Sequence, residues 1–167
     1  MRLFFALWPP VETAHALARW THEVSRETGG APTAADKIHL TLAFLGDGDP
    51  IRAQNAAQRV SGRRHALPID HAHYWRHNKI VWVGPQAMPL ALAALVGQLH
   101  DELKAQRFVL EERPFAAHVT LLRKAQPPKA LPPLPPLQWP VNEFVLVRSR
   151  TSPKGATYEN VERFPLA

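Results

Sequence analysis

Lys37-Ile38-His39-Leu40-Thr41-Leu42 decides how this chain is read, because its core returns later as Ala117-His118-Val119-Thr120-Leu121. Both copies run His, apolar residue, Thr, Leu, and both fall where a strand is expected. In a strand, residues i and i+2 share a face. His39 and Thr41 therefore look one way while Leu40 and Leu42 look towards a core, and His118 and Thr120 repeat the arrangement over Val119 and Leu121. One such tetrapeptide carries little information. Two copies, one in each half of the chain, predict a duplicated unit whose two histidines meet in one cleft.

The flanking sequence supplies the elements that would hold those strands. Residues 2–8 form an apolar run closed by Pro9-Pro10, as a buried strand does, and Pro10 suits the first turn of a helix. Val11, Ala14, Leu17, Ala18 and Val24 keep a helical spacing up to Gly29-Gly30. The first motif strand spans 38–45 and stops at Gly46-Asp47-Gly48-Asp49-Pro50, after which 51–60 reads as an amphipathic helix with Arg52 and Arg59 solvated. Residues 67–75 and 79–83 are expected to pair as a hairpin. Residues 88–106 show the clearest helical repeat, 108–110 an extended segment, and 115–122 the second motif strand. The proline-rich stretch 126–140 is read as a stiff connector outside the sheets. Strands at 143–150 and 156–164 close the chain. Mixed helices and frequent hairpins predict an α+β protein with largely antiparallel sheets.

Composition limits the function classes. The chain has 167 residues, 46% hydrophobic and 20% charged, as expected of one globular domain or two small lobes sharing a core. It has no cysteine, which excludes disulfides, a thiolate nucleophile and a Cys-based zinc site. Lys+Arg 20 against Asp+Glu 14 gives a formal charge of +6. That sign favours an anionic partner, nucleic acid foremost. The apolar N-terminal run is too short to span a membrane and ends in Trp8-Pro9-Pro10, so the chain is read as a cytoplasmic monomer with no membrane partner.

Two imidazoles across a cleft supply a general acid and a general base near neutral pH without a metal or cofactor. A threonine hydroxyl on the same face as each histidine donates to a non-bridging phosphate oxygen, so two pairs would grip one phosphoryl group from both sides. Arg123 ends the second motif as His118-Val119-Thr120-Leu121-Leu122-Arg123. An ideal strand points it away from His118, and it reaches a phosphate only where the strand twists, bulges or ends.

These stretches resemble the 2H phosphoesterase superfamily, and within it the LigT-like branch of RNA 2′,3′-cyclic phosphodiesterases, once called 2′-5′ RNA ligases. The resemblance is carried by Arg2-Leu3-Phe4-Phe5-Ala6-Leu7, Lys37 to Gly46, Val81-Trp82-Val83-Gly84, Arg113 to Arg123, and Phe144 to Ser149 with Tyr158 beyond it. Ala117 departs from it where many relatives have proline, and the proline-rich insert is a second departure. The resemblance implies one bilobal domain over residues 1–167, with two antiparallel sheets, packed helices and a cleft on a pseudo-two-fold axis. It implies hydrolysis of RNA 2′,3′-cyclic phosphate ends, tRNA fragments among them, or of small cyclic nucleotides, to 2′-phosphomonoesters, with neither metal nor cofactor. His118 would be the proton acceptor that activates water and His39 the proton donor to the departing 3′ oxygen. Thr41 and Thr120, with Arg123, would hold the phosphate. The older ligase name implies, in addition, reversible 2′-5′ ligation of a cyclic phosphate end to a 5′-hydroxyl.

Weaker signals surround this core reading. Phe115 and Tyr158 are candidate substrate-binding aromatics. Lys37, Arg113, Lys124, Arg148 and Arg150 flank the motif strands or the closing strand as candidate phosphate contacts. His71, His73 and His77 form the one stretch that suggests a metal, without an acidic partner at ligand spacing. Against the enzyme stand two other readings: a non-catalytic RNA- or nucleotide-binding protein using the same basic cleft, and a metalloprotein built on those three histidines.

Overall fold

Two prolines separate the first strand from the first helix, and two glycines end that helix. A computed structural model describes residues 2–167. Strand β1 (Arg2–Leu7) stops at Pro9-Pro10. Helix α1 (Val11–Thr28) follows, and Gly29 closes it at φ 63°, its N–H bonding the Ser25 carbonyl. The left-handed backbone there is a glycine conformation. Then come β2 (Ala31–Pro32), a single 3₁₀ turn (Ala35–Lys37) and β3 (Leu40–Gly46). Asp49 caps α2 (Pro50–Gln58), its carboxylate accepting from the Ile51 N–H at 2.9 Å with proline at the first helical position. The remaining elements are β4 (His65–Ile69), β5 (His71–Trp75), β6 (Ile80–Gly84), α3 (Leu90–Ala105), β7 (Val119–Arg123), β8 (Leu137–Val141), β9 (Glu143–Ser152) and β10 (Gly155–Pro165).

The strands form two four-stranded antiparallel sheets, in the orders β10-β9-β1-β3 and β2-β7-β6-β5, and a two-stranded ladder β4-β8. The α+β class with antiparallel sheets is as expected. The halves of the chain are nevertheless exchanged. The first motif strand β3 lies in a sheet completed by the C-terminal strands β9 and β10, and α3 packs behind it. The second motif strand β7 pairs with β2, and α1, from the N-terminal half, covers that sheet. Each lobe thus draws on both halves of the sequence.

Four expectations need correction. Residues 67–75 are not one hairpin arm. The chain breaks at Asp70, and β4 pairs with β8 while β5 pairs with β6. The break is held by the Asp70 N–H on the Gly84 carbonyl and by the Asp70 carboxylate on the Gln86 N–H. The proline-rich stretch is not wholly outside the sheets, because its end forms β8. Pro140 is tolerated there because a two-stranded ladder leaves every second backbone group unpaired, while Trp139 and Val141 are buried on the other face. Earlier in the stretch, Trp20 on α1 donates its indole N–H to the Pro132 carbonyl at 3.2 Å. Residues 108–110 form no strand, and Phe108 instead lies under the Arg52 guanidinium, 5.1 Å from its ring centre. Arg52 is therefore not simply solvated.

Candidate active site

His39 and His118 each sit one residue before a motif strand, so the strand holds the threonine and the approach to it holds the histidine. Leu40, Leu42, Val119 and Leu121 are buried behind them. Each such side chain contributes about 1.5–3 kcal/mol on burial, which fixes which face of each strand looks into the cleft. The His39 Nδ1 lies 2.7 Å from the Lys37 carbonyl, and the His118 Nδ1 lies 2.9 Å from the Ala116 carbonyl. A carbonyl only accepts, so both Nδ1 atoms carry the proton and donate it. Each neutral ring then keeps Nε2 as its free base. The same i to i−2 tie recurs at both motifs, as a duplicated unit requires.

Arg123 reaches the site through a bulge. Along β6 and β7, Val81 faces Leu122 and Trp82 faces Thr120, which leaves Leu121 unmatched. Leu121 and Leu122 are both buried as a result, and Arg123 returns to the face of His118 and Thr120. The first motif has the same device: Phe5 faces Ala43 and Ala6 faces Thr41, so Leu42 is the extra residue. There the position five residues beyond the histidine is Phe44, whose side chain is 63% exposed. Both bulge carbonyls are satisfied, Leu42 by the His100 Nε2 at 2.8 Å and Leu121 by the Thr33 N–H at 2.8 Å. Gly84 lets β6 approach the second motif, since a Cβ there would lie 2.5 Å from the Ala117 carbonyl oxygen.

His39, Thr41, His118, Thr120 and Arg123 line one cleft of about 650 Å³, together with Phe44, Tyr158, Arg2, Lys37 and Asp47. Aromatic rings brace both histidines. Phe4, Trp8 and Tyr158 lie 5.1, 5.3 and 5.4 Å from the His39 ring, and Trp75 lies 4.9 Å from that of His118. Burial lowers the His39 pKa below its usual value. The Lys37 carbonyl opposes that fall, and the Arg123 guanidinium and the electrostatic coupling to the His118 imidazole add to it. The two imidazoles and the guanidinium thus share one electrostatic environment.

Phe115 is the expected residue placed apart from this group. It lines an adjoining chamber that shares Thr41, Phe44 and His118 with the first. Of the flanking cations, Lys37 reaches the main cleft and Arg113 the adjoining chamber, while Arg148 lies 3.8 Å from Glu159. His71 and His73 pack ring to ring at 4.3 Å, and His73 stacks on Trp82 at 5.3 Å. Among the described residues no group of three or more His, Cys, Asp or Glu is placed to hold a metal ion. Sequence reasoning missed Phe44, Arg2 and the bracing roles of Trp8 and Trp75. The signal for Phe44 was its position, five residues after His39 as Arg123 is five after His118.

A pair of matched His-x-Thr strands facing one cleft defines a two-histidine phosphoesterase site. The family model described as LigT like Phosphoesterase matches this chain twice, over residues 7–82 and 83–158, with one of the two motif histidines, His39 and His118, in each match. The chain belongs to that family. It is 33% identical over 171 residues to the RNA 2′,3′-cyclic phosphodiesterase of Escherichia coli (strain K12), covering 99% of this chain and 96% of that protein. It is 32% identical over 180 residues to the enzyme of the same name from Thermus thermophilus, covering 99% and 90%. The crystal structure of E. coli LigT complexed with 3′-AMP superposes with a TM-score of 0.91 at 31% identity, covering 99% of this chain and 97% of that one.

Proposed function

We propose that this protein hydrolyses 2′,3′-cyclic phosphate ends of RNA to 2′-phosphomonoesters by two-histidine acid–base catalysis. The observation that carries the reading is the shared anchoring of His39 and His118, each tied through Nδ1 to a backbone carbonyl two residues earlier, beside Thr41 and Thr120 in one cleft. The activity named for the relatives agrees with it.

In this mechanism His118 Nε2 takes a proton from water as the water oxygen bonds to phosphorus. The bond from phosphorus to the 3′ oxygen breaks, and that oxygen takes a proton from the His39 imidazolium. The cycle leaves His118 protonated and His39 neutral, and exchange with solvent resets both. The lowered pKa of His39 makes its imidazolium a willing donor, and the anionic phosphate supplies the counter-charge that lets it hold the proton beforehand. Thr41, Thr120 and Arg123 bind the non-bridging oxygens, where charge grows as water adds. Phe44 and Tyr158 offer aromatic surface to the terminal nucleoside. The same steps in the same direction, with a 5′-hydroxyl in place of water as the group that bonds to phosphorus and gives its proton to His118, form a 2′-5′ linkage.

The test is a short RNA ending in a 2′,3′-cyclic phosphate, incubated with the protein in excess chelator. A 2′-phosphate product is expected, and its loss in His39→Ala/His118→Ala. Tight RNA binding without turnover would instead make the protein a binding module. A 3′-phosphate product would reverse the direction of ring opening.

A further inference from the structure

The chamber beside the catalytic cleft has a volume of about 500 Å³ and meets it at Thr41, Phe44 and His118. The phosphate position thus lies at the junction of two compartments. The second is walled by the edge strand β3, the turn between β5 and β6, and residues 110–116. Trp75 enters it from beside His118, Phe115 lines it from the 110–116 segment, and His77, Asn78 and Arg113 add polar and cationic groups. Glu111 also lines it, and its carboxylate lies 3.2 Å from the Arg113 guanidinium.

A ribose that carries a 2′,3′-cyclic phosphate has two other exits: its base, and the 5′ oxygen leading back into the RNA strand. The cleft around Phe44 and Tyr158 accommodates one of them. The strand needs a second way out of the same phosphate position. Aromatic faces beside cationic and amide donors are the chemistry that receives an unpaired nucleotide, by stacking its base and bonding its phosphate. Ring contacts continue outward from Trp75 to Trp82 at 4.9 Å and on to His73 and His71.

We propose that the second chamber is a subsite for the nucleotide that precedes the cyclic phosphate end, its base against Trp75 and Phe115 and its linking phosphate at Arg113 and His77. The substrate is then the end of a single-stranded RNA, not a free cyclic mononucleotide. This rests on the phosphodiesterase reading above.

The experiment measures kcat/KM for adenosine 2′,3′-cyclic phosphate and for a diadenosine dinucleotide with the same cyclic end. It uses the unmodified protein and the variants Trp75→Leu, Phe115→Leu and Arg113→Ala. The readout is the ratio of dinucleotide to mononucleotide, in which any loss common to both substrates cancels. A ratio of about ten or more is expected in the unmodified protein, the size of one base–aromatic stack. It should fall towards one in both aromatic variants and fall partway in Arg113→Ala. A ratio near one in the unmodified protein, or one unchanged by both aromatic substitutions, overturns the subsite. Mononucleotide turnover in that case leaves the phosphodiesterase reading standing, whereas turnover of neither substrate overturns both.

Discussion

The His39 pKa is lowered because burial among three aromatic rings takes the imidazole out of water while a guanidinium and a second imidazole face it. Its lowered pKa has a consequence for stability. Above about pH 6.5, the ordinary histidine value, neither the folded nor the unfolded chain carries a proton there. As pH falls below it the unfolded chain takes up the proton first, so folding loses stability until the folded ring is protonated too. We expect the urea midpoint to drop between about pH 7 and pH 5, and to drop less in His39→Gln. Equal slopes would remove the inference. For turnover, His39→Ala and His118→Ala are each expected to cost at least ~10²-fold, the lower range for general acid–base catalysis, read as product formed from a cyclic-phosphate RNA. Near-normal activity in either variant rejects the shared site. Both histidines and both threonines were legible in sequence because the motif repeats. Phe44 was not, because a lone phenylalanine in a strand reads as core until a bulge turns it outward.

At the scale of elements, the two motif strands work through their bulges. Without Leu42 and Leu121 as extra residues, Phe44 and Arg123 would face the core. The Leu42 carbonyl depends on the His100 side chain, which reaches it from α3. Removing that donor in His100→Leu leaves a carbonyl unpaired at a cost of about 1–3 kcal/mol, and it frees the segment that carries Thr41 and Phe44. The expected result is a lower thermal midpoint and a fall in kcat, with partial recovery of both in His100→Gln, whose amide N–H can also donate to a carbonyl. Unchanged kcat in His100→Leu would show that the bulge holds without it. Alternation predicted the faces of His39, Thr41, His118 and Thr120 correctly. It could only make the placement of Arg123 conditional, because a bulge is set by pairing with a distant strand. The split between β4 and β5 was hidden for a related reason: Asp70 is a weak strand former between Leu67, Ile69 and the aromatic Tyr74 and Trp75, and only the different partner strands β8 and β6 show that the chain divides there.

At the scale of the whole molecule, a basic chain presents Arg2, Lys37 and Arg123 in the cleft, with Asp47 the acidic residue among its lining. An RNA end should be drawn in electrostatically, and that attraction is screened by salt. We expect kcat/KM for an oligonucleotide substrate to fall with rising salt while kcat stays level, and the slope to be shallower in Arg2→Gln/Lys37→Gln. A salt-independent kcat/KM would mean that these charges do not steer the substrate. The amino-acid sequence by itself determined the α+β class, most of the elements, the duplicated motif and the two histidines, because periodicity and repetition are local properties of a chain. Tertiary structure alone decided which strands share a sheet, how the halves exchange β2, β9, β10 and α1, where the bulges fall, and that Phe115 lines a second chamber. Those features depend on pairing between residues far apart in sequence, and nothing in either partner's local pattern encodes the other.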